Sequence, residues 1–232
     1  MNKEIEESFA QFNLTWDEIK NKLIEARLID VADKVSYCMR NPHRAYPLQI
    51  VFFAMSSLIL KNVKNILEIG TSGGKSTFAL SRLFPKSMVY TIDIGESDPN
   101  YSISYRGIQE GPSTEERRLF FEKNTMADNI KFIESNSFFL PSLGLPDKFE
   151  LIFVDGDHNF PQVAGDIMFA YNRMRGGGFL FMHDYNVSGK DANNVKEIVD
   201  WMGARIKEEV LFIPGNTYSS QGRMVLIVKA KD

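Results

Sequence analysis

The sequence predicts an α/β fold, a doubly wound and mostly parallel sheet with a helical segment in front of it. Two observations carry the prediction. From residue 65 onward, short apolar runs of β type alternate with stretches of helical period. That order produces parallel strands joined by right-handed crossovers. Several of the runs are continuously apolar instead of alternating, as strands covered on both faces must be.

The helical segment comes first. Thr15 and Glu18 have the spacing of a capping box, and Trp16, Ile19, Leu23 and Ile24 follow at helical intervals, with Phe9 and Phe12 extending the stripe backwards. Such a stripe is ordinarily core, and it serves equally as a lid or a subunit contact in a homodimer. Spacing alone does not separate these. Asn41, Pro42 and Pro47 interrupt the pattern before an apolar run over Leu48–Leu60. That run is well short of the ~20 residues that span a bilayer, so it reads as a buried helix. The division expected is a helical extension or cap over residues 1–62 and a sheet domain over residues 63–232.

Strands are predicted at Asn65–Ile69, Val89–Ile94, Ile130–Glu134, Glu150–Val154, Phe179–Met182, Val210–Ile213 and Met224–Val228. Helices are predicted at Lys75–Leu83, Thr114–Met126, Gln162–Met174 and Asn193–Ile206. The last two strands flank a turn-rich segment, Pro214–Gly222, and should pair antiparallel. In sheets of this kind ligands collect beyond the carboxyl ends of the strands.

Composition narrows the class. The chain has 232 residues, 44% of them hydrophobic, enough for one large core. Its 27 basic and 30 acidic residues leave a formal charge of -3, which argues against nucleic acid as a partner. One cysteine, Cys38, excludes an internal disulfide framework and fits a reducing compartment; between Tyr37 and Met39 it reads as a buried thiol. The acidic N-terminus MNKEIEESFA lacks the bases and apolar run of a signal peptide. A soluble, cytoplasmic protein with no membrane contact is expected.

The loop after the first strand, within ILEIGTSGGKST (66–77), carries the first chemistry. Glycine turns the backbone sharply and lets a ligand approach main-chain N–H groups, and the helix start adds unpaired donors. Gly74-Lys75-Ser76 gives the end of a triphosphate loop, but the Gly needed six residues before the lysine is Ile69. A dinucleotide fingerprint wants G-x-G-x-x-G, whereas the glycines here stand as G-x-x-G-G over Gly70–Gly74. A tight turn without a ligand is a further reading, beside an acidic-x-Gly-x-x-Gly-Gly cofactor loop over Glu68–Gly74. Asp93 ends the second strand, placed to accept hydrogen bonds from both hydroxyls of a ribose. Glu134-Ser135-Asn136-Ser137 ends the third, where an adenine edge could be read or a helix simply capped.

The fourth strand runs into LIFVDGDHNF (151–160) and the fifth into GGGFLFMHDY (176–185). They deliver Asp155, with Asp157 and His158, and then His183 and Asp184 to one edge. Acids ending adjacent parallel strands can share a hard cation such as Mg²⁺. The plainer reading is that Asp157 and Asp184 cap the helices that follow. Two of the three histidines lie here, the third being His43. Either His158 or His183 suits a general base near neutral pH, and His158 equally suits a structural tie of its loop.

Taken together, ILEIGTSGGKST, TIDI, ESNS, FVDGDHNFPQVAGDI and GGGFLFMHDY over 65–186 resemble the core of the class I S-adenosylmethionine-dependent methyltransferases. They are most similar to the methyltransferase family 24 group of small-molecule O-methyltransferases. The resemblance implies a Rossmann-like seven-stranded sheet whose last strand is antiparallel. It implies S-adenosylmethionine held around Glu68, Gly70, Thr71, Ser72, Gly73, Ser76, Asp93, Asn136, Ser137, Asp155 and Asp157. In metal-dependent relatives Asp155 and Asp184 would be ligands of Mg²⁺. Their third ligand is often an Asn directly after the second acid; Tyr185 stands there in this chain, with Asn186 and His183 as candidate substitutes. Methyl transfer from the cofactor's sulfonium to a hydroxyl of a small molecule, a sugar, phenol or natural product, is the implied reaction. Asp155, His158 and His183 are its candidate catalytic residues. Candidate acceptor contacts are Tyr101, Tyr105 and Arg106, in the polar segment Asp98–Pro112, and Tyr185. Two other functions use the same sheet: an NAD-dependent oxidoreductase, although no Tyr-x-x-x-Lys pair follows the middle strands, and a non-catalytic cofactor binder.

Overall fold

The computed structural model describes residues 3–40, 48–95, 97–101, 119, 128–185, 194–213 and 223–231. Four helices open the chain: α1 (Lys3–Ala10), α2 (Trp16–Glu25), α3 (Ile29–Arg40) and α4 (Leu48–Ile59). Thr15 begins α2 as expected, its side chain accepting from the Glu18 N–H while the Glu18 carboxylate accepts from the Thr15 N–H at 2.8 Å. The break between α2 and α3 was not legible in the sequence. Arg27 makes it in the left-handed region at φ 59°, with neither Gly nor Pro present.

The sheet follows: β1 (Asn65–Ile69), α5 (Lys75–Leu83), β2 (Met88–Asp93), β3 (Ile130–Glu134) and a 3₁₀ turn (Ser137–Ser142). It continues as β4 (Phe149–Val154), α6 (Gln162–Arg173), β5 (Met174–Tyr185), α7 (Asn194–Gly203), β6 (Glu209–Ile213) and β7 (Arg223–Val228). The helix expected at Thr114–Met126, the turn Pro214–Gly222 and the side chain of Cys38 lie outside the described residues. Seven strands stand in the order β3-β2-β1-β4-β5-β7-β6. All neighbours are parallel except those of β7, which runs antiparallel to both β5 and β6.

Both sheet faces are buried, which is why the central strands carry no polar alternation. On one face Ile66, Leu151, Phe153 and Phe181 pack in a single cluster with Phe9, Ile19, Leu23, Phe52 and Phe53 of the opening helices. Ring pairs Phe53–Phe153 at 5.1 Å and Phe9–Phe52 at 5.5 Å join the layers. Phe9, Ile19 and Leu23 of the apolar stripe that begins the chain are therefore core, while Ile24 is left 42% exposed. On the other face Leu67, Ile152, Leu180 and Ile227 pack against Val163 and Ile167 of α6 and Val195 and Val199 of α7. Among the described residues no helix is long and apolar enough to cross a membrane.

Strand order reverses between β1 and β4, the place where a doubly wound sheet opens a cleft at its carboxyl edge. Register aligns that edge: Ile69 pairs with Ile92 and Val154, and Val154 with Met182. Gly70, Asp93, Asp155 and His183 therefore form one row just past the last paired positions.

Candidate active site

The row is knit by backbone. Gly70 N–H donates to the Ile92 carbonyl at 2.9 Å, and Asp155 N–H to the Ile69 carbonyl at 2.8 Å. Gly70 sits at φ +94°, and a Cβ there would lie 2.0 Å from the Asp155 carbonyl oxygen. Only glycine lets the first loop pass so close to the end of β4. Ser72 at φ 46° and Gly74 at φ 72° complete the turn into α5.

A cavity of about 580 Å³ opens against this row. Gly70, Ser72, Asp93, Asn136, Ser137, Asp155, Asp157 and His158 line it. Asp93 is buried, its carboxylate accepting from the Ser72 N–H at 2.6 Å and the Ile94 N–H at 2.8 Å. Asn136 caps the 3₁₀ turn by accepting from the Phe138 N–H at 3.0 Å and donates to Asp98 at 3.1 Å. It is thus both a cap and part of the wall.

Other lining residues carried no signal in the sequence. Phe138 and Phe160, 62% and 66% exposed, bring two aromatic rings to the cavity lining. Gln162 donates to Ser137 and, at 2.9 Å, to the buried Asp166. Burial pushes the Asp166 pKa up to about 6 against the hydrogen bonds it receives from Ser137 and Gln162. Asn194 fastens the 157–160 loop to α7 by accepting from the Phe160 N–H at 2.8 Å.

Several expected contacts stand elsewhere. Glu68, Thr71, Gly73 and Ser76 form the base of the loop and do not line the cavity. Glu68 is fully buried and accepts from Thr77 and, at 2.6 Å, from Thr91 on one oxygen. Its other oxygen has no partner among the described residues. Burial pushes its pKa up to about 8 despite the two threonine hydroxyls, with Asp155 and Asp93 adding repulsion. The folded chain thus binds a proton that the unfolded chain releases near pH 4.5. Stability from this group is complete below pH 4.5 and is lost as pH rises toward 8. At ~1.4 kcal/mol per tenfold in proton affinity, the loss is bounded at about 5 kcal/mol. Glu68→Gln keeps the neutral shape, so its thermal melts should fall less between pH 5 and 8 than those of the parent protein, with Asp166 and His183 still contributing a slope in that range. At pH 8 the variant should exceed the parent protein by roughly 1–3 kcal/mol. A parent protein whose stability does not fall over that range would contradict a protonated Glu68.

The structure brings Asp155, His158, His183 and Asp184 together. His158 Nε2 lies 3.5 Å from Asp155 and 3.4 Å from Asp184. His183 Nδ1 lies 3.4 Å from Asp155 and 3.1 Å from Asp184. Asp184 stands at φ 56°, inside an irregularity of the β5–β7 ladder between Met182 and Tyr185. Such bulges re-aim side chains near functional sites, and a non-glycine left-handed residue stores strain there. Burial disfavours a charge on His158, but Asp155 and Asp184 outweigh it and raise the pKa above the usual histidine value. At His183 the same opposition ends with the pKa pushed up to about 9.

Tyr185 does not join them. It is buried on the opposite face among the α7 contacts, its hydroxyl donating to Asp200 at 2.6 Å. It is neither a ligand nor an acceptor contact in this arrangement. Tyr101 is half-buried and outside the cavity lining, while Tyr105, Arg106, Asn186 and His43 lie outside the described residues. Magnesium, which prefers carboxylate and carbonyl oxygens, does not fit this set well. What face the two acids are imidazole nitrogens, buried and without hydrogen-bond partners among the described residues.

Comparison with known proteins agrees with the fold. The model of a family described as a methyltransferase domain matches residues 67–185. No curated protein matches the chain by sequence. A candidate O-methyltransferase from Klebsiella pneumoniae is similar in structure, with 22% identity, 89% of this chain and 96% of that one covered, and a TM-score of 0.60. The O-methyltransferase TomG of Streptomyces achromogenes, involved in tomaymycin synthesis and solved with S-adenosylmethionine, shares 18% identity over 99% of both chains, with a TM-score of 0.57. An O-methyltransferase from Bacillus cereus, solved with S-adenosylhomocysteine, shares 19% identity over 90% and 91% of the chains, also at 0.57.

Proposed function

The chain belongs to the methyltransferase-domain family, and from that premise we propose that it transfers the methyl group of S-adenosylmethionine to a hydroxyl of a small molecule. The observation that carries this reading is the cavity lined together by the Gly70 turn, Asp93, Asp155 and His158. Its volume of about 580 Å³ is in the range of cofactor pockets.

The cofactor supplies an electrophilic methyl carbon on a sulfonium. The protein has then to bind it, orient the acceptor and deal with one proton. Asp93 offers its carboxylate to the ribose hydroxyls. Ser137 and Gln162 offer polar groups to the adenine edge, and Phe138 and Phe160 offer ring faces. Asp157, at the turn after β4, suits the cationic amino end.

A neutral hydroxyl is a weak nucleophile, and the cluster of Asp155, His158, His183 and Asp184 is what can take its proton. Asp155 and His158 line the cavity, so they stand where an acceptor would be touched. His183 packs behind them, edge-on to Phe153 at 6.1 Å between centroids. No step is assigned to Mg²⁺. The O-methyltransferases of similar fold support a hydroxyl as the acceptor group.

Calorimetry with S-adenosylhomocysteine, followed by methylation assays over a panel of sugars, phenols and natural products, tests the reading. His158→Gln should bind S-adenosylhomocysteine within about twofold of the parent protein while turnover falls by ~10²-fold or more. Turnover untouched in that variant would remove the cluster from the reaction. Absence of cofactor binding by the parent chain would remove the reading itself.

A further inference from the structure

The donors that meet at the end of β5 do more than balance charge. Nε2 of His158 and Nδ1 of His183 are buried, and neither makes a hydrogen bond among the described residues. Buried imidazole nitrogens are seldom left so, because an unmade hydrogen bond costs about 1–3 kcal/mol. Each nitrogen instead points at two carboxylate oxygens from 3.1–3.5 Å away. One donor atom each from Asp155, His158 and Asp184 lies within 4.8 Å of the other two.

Those separations have a geometric meaning. Ligand atoms held at about 2.0–2.1 Å from a tetrahedral ion stand roughly 3.3–3.4 Å from one another. Three of the four nitrogen–oxygen distances, 3.4, 3.4 and 3.5 Å, match that edge. The backbone is bent to produce them. Asp184 adopts φ 56° within the bulge, so the strand is strained at the residue that faces both imidazoles.

Donor chemistry then selects the ion. Carboxylate oxygens alone suit magnesium, calcium and manganese, whereas imidazole beside carboxylate suits zinc, cobalt, nickel or iron, whose affinities also rise along the first row. We propose that Asp155, His158 and Asp184 form a site for a nitrogen-preferring divalent ion of the zinc or cobalt type in place of magnesium. This deepens the methyl-transfer reading and rests on it only for the use of the ion, since binding can be read without turnover. With the ion in place His158 serves as ligand, and the proton of the acceptor is no longer its task.

The test takes the full chain free of any histidine tag, stripped with chelator and dialysed against Mg²⁺, Co²⁺ or Zn²⁺ in turn. About one Co²⁺ or Zn²⁺ per chain should be retained, at least ~10²-fold more tightly than Mg²⁺. The Co²⁺ form should show visible ligand-field absorption. In the parent chain carrying ¹⁵N-labelled histidine, hyperfine-shifted signals should come from His158 or His183 and not from His43. His158→Gln and Asp184→Asn should each weaken Co²⁺ binding by ~10-fold or more, with circular dichroism unchanged. Mg²⁺ held as tightly as Co²⁺, no retained ion, or no shifted imidazole signal in the parent protein would each overturn the proposal, even where a variant fails to fold. Parallel calorimetry with S-adenosylhomocysteine separates the two claims. Cofactor binding without ion retention sinks only this site, and ion retention without cofactor binding sinks only the methyl-transfer reading.

Discussion

Asp93→Ala is expected to weaken S-adenosylhomocysteine binding by at least ~10²-fold, the largest affinity change from any single side chain in the cavity. Two hydroxyl-to-carboxylate hydrogen bonds are lost from a buried site, each worth about 1.5–3 kcal/mol when one partner is charged. A second loss compounds the first. The same carboxylate accepts the Ser72 and Ile94 N–H groups, so its removal also frees the glycine turn. Asp93→Asn should fare little better, because its amide nitrogen would face one of those backbone donors. Calorimetry at fixed ionic strength reads the affinity. Less than a tenfold change in Asp93→Ala, with the fold intact, would mean that the ribose is not held at this carboxylate.

Gly70→Ala should be the most damaging single-atom addition to the fold and the site together. The new methyl would fall 2.0 Å from the Asp155 carbonyl oxygen and 2.7 Å from the Gly156 nitrogen. Both obstacles are backbone, held by the Asp155 N–H to Ile69 bond, so no side chain can swing aside. The positive φ of 94° adds conformational strain. A loss of about 3 kcal/mol or more in denaturant unfolding is expected. Cofactor binding should be lost in whatever fraction folds. Near-parental stability with normal binding would show that the turn and the end of β4 are farther apart than described.

How far the sequence carried the fold depended on how local the signal was. Lys75–Leu83 matches α5 at both ends, because Gly74 directly precedes a helical stripe. The continuous apolar runs marked the central strands for the same reason that both sheet faces bury them. β5 begins at Met174 and not at Phe179, since its glycines 176–178 carry no side-chain pattern while their backbone still pairs; the Gly177 N–H donates to the Lys229 carbonyl at 3.0 Å.

The site was legible where residues end strands, as with Asp93, Asp155, His183 and Asp184. It was not legible where contacts are distant in sequence, as with Gln162 to Ser137, Thr91 to Glu68, or Asn194 to Phe160. Tyr185 shows the physical reason most clearly. A regular strand would put it on the same face as His183 two positions before. One residue of irregularity between Met182 and Tyr185 turns it to the α7 face instead, and the same irregularity aims Asp184 at the histidines. A register shift of this sort leaves no mark in composition or periodicity.

The measurement that bears most directly on the whole is a crystal structure of the chain with S-adenosylhomocysteine. The expected result has the ribose hydroxyls at Asp93, the adenine between the Phe138 and Phe160 loops, and the sulfur facing Asp155 and His158. A ligand seated away from the Gly70 turn, or one whose sulfur faces the opposite wall from Asp155 and His158, would contradict it.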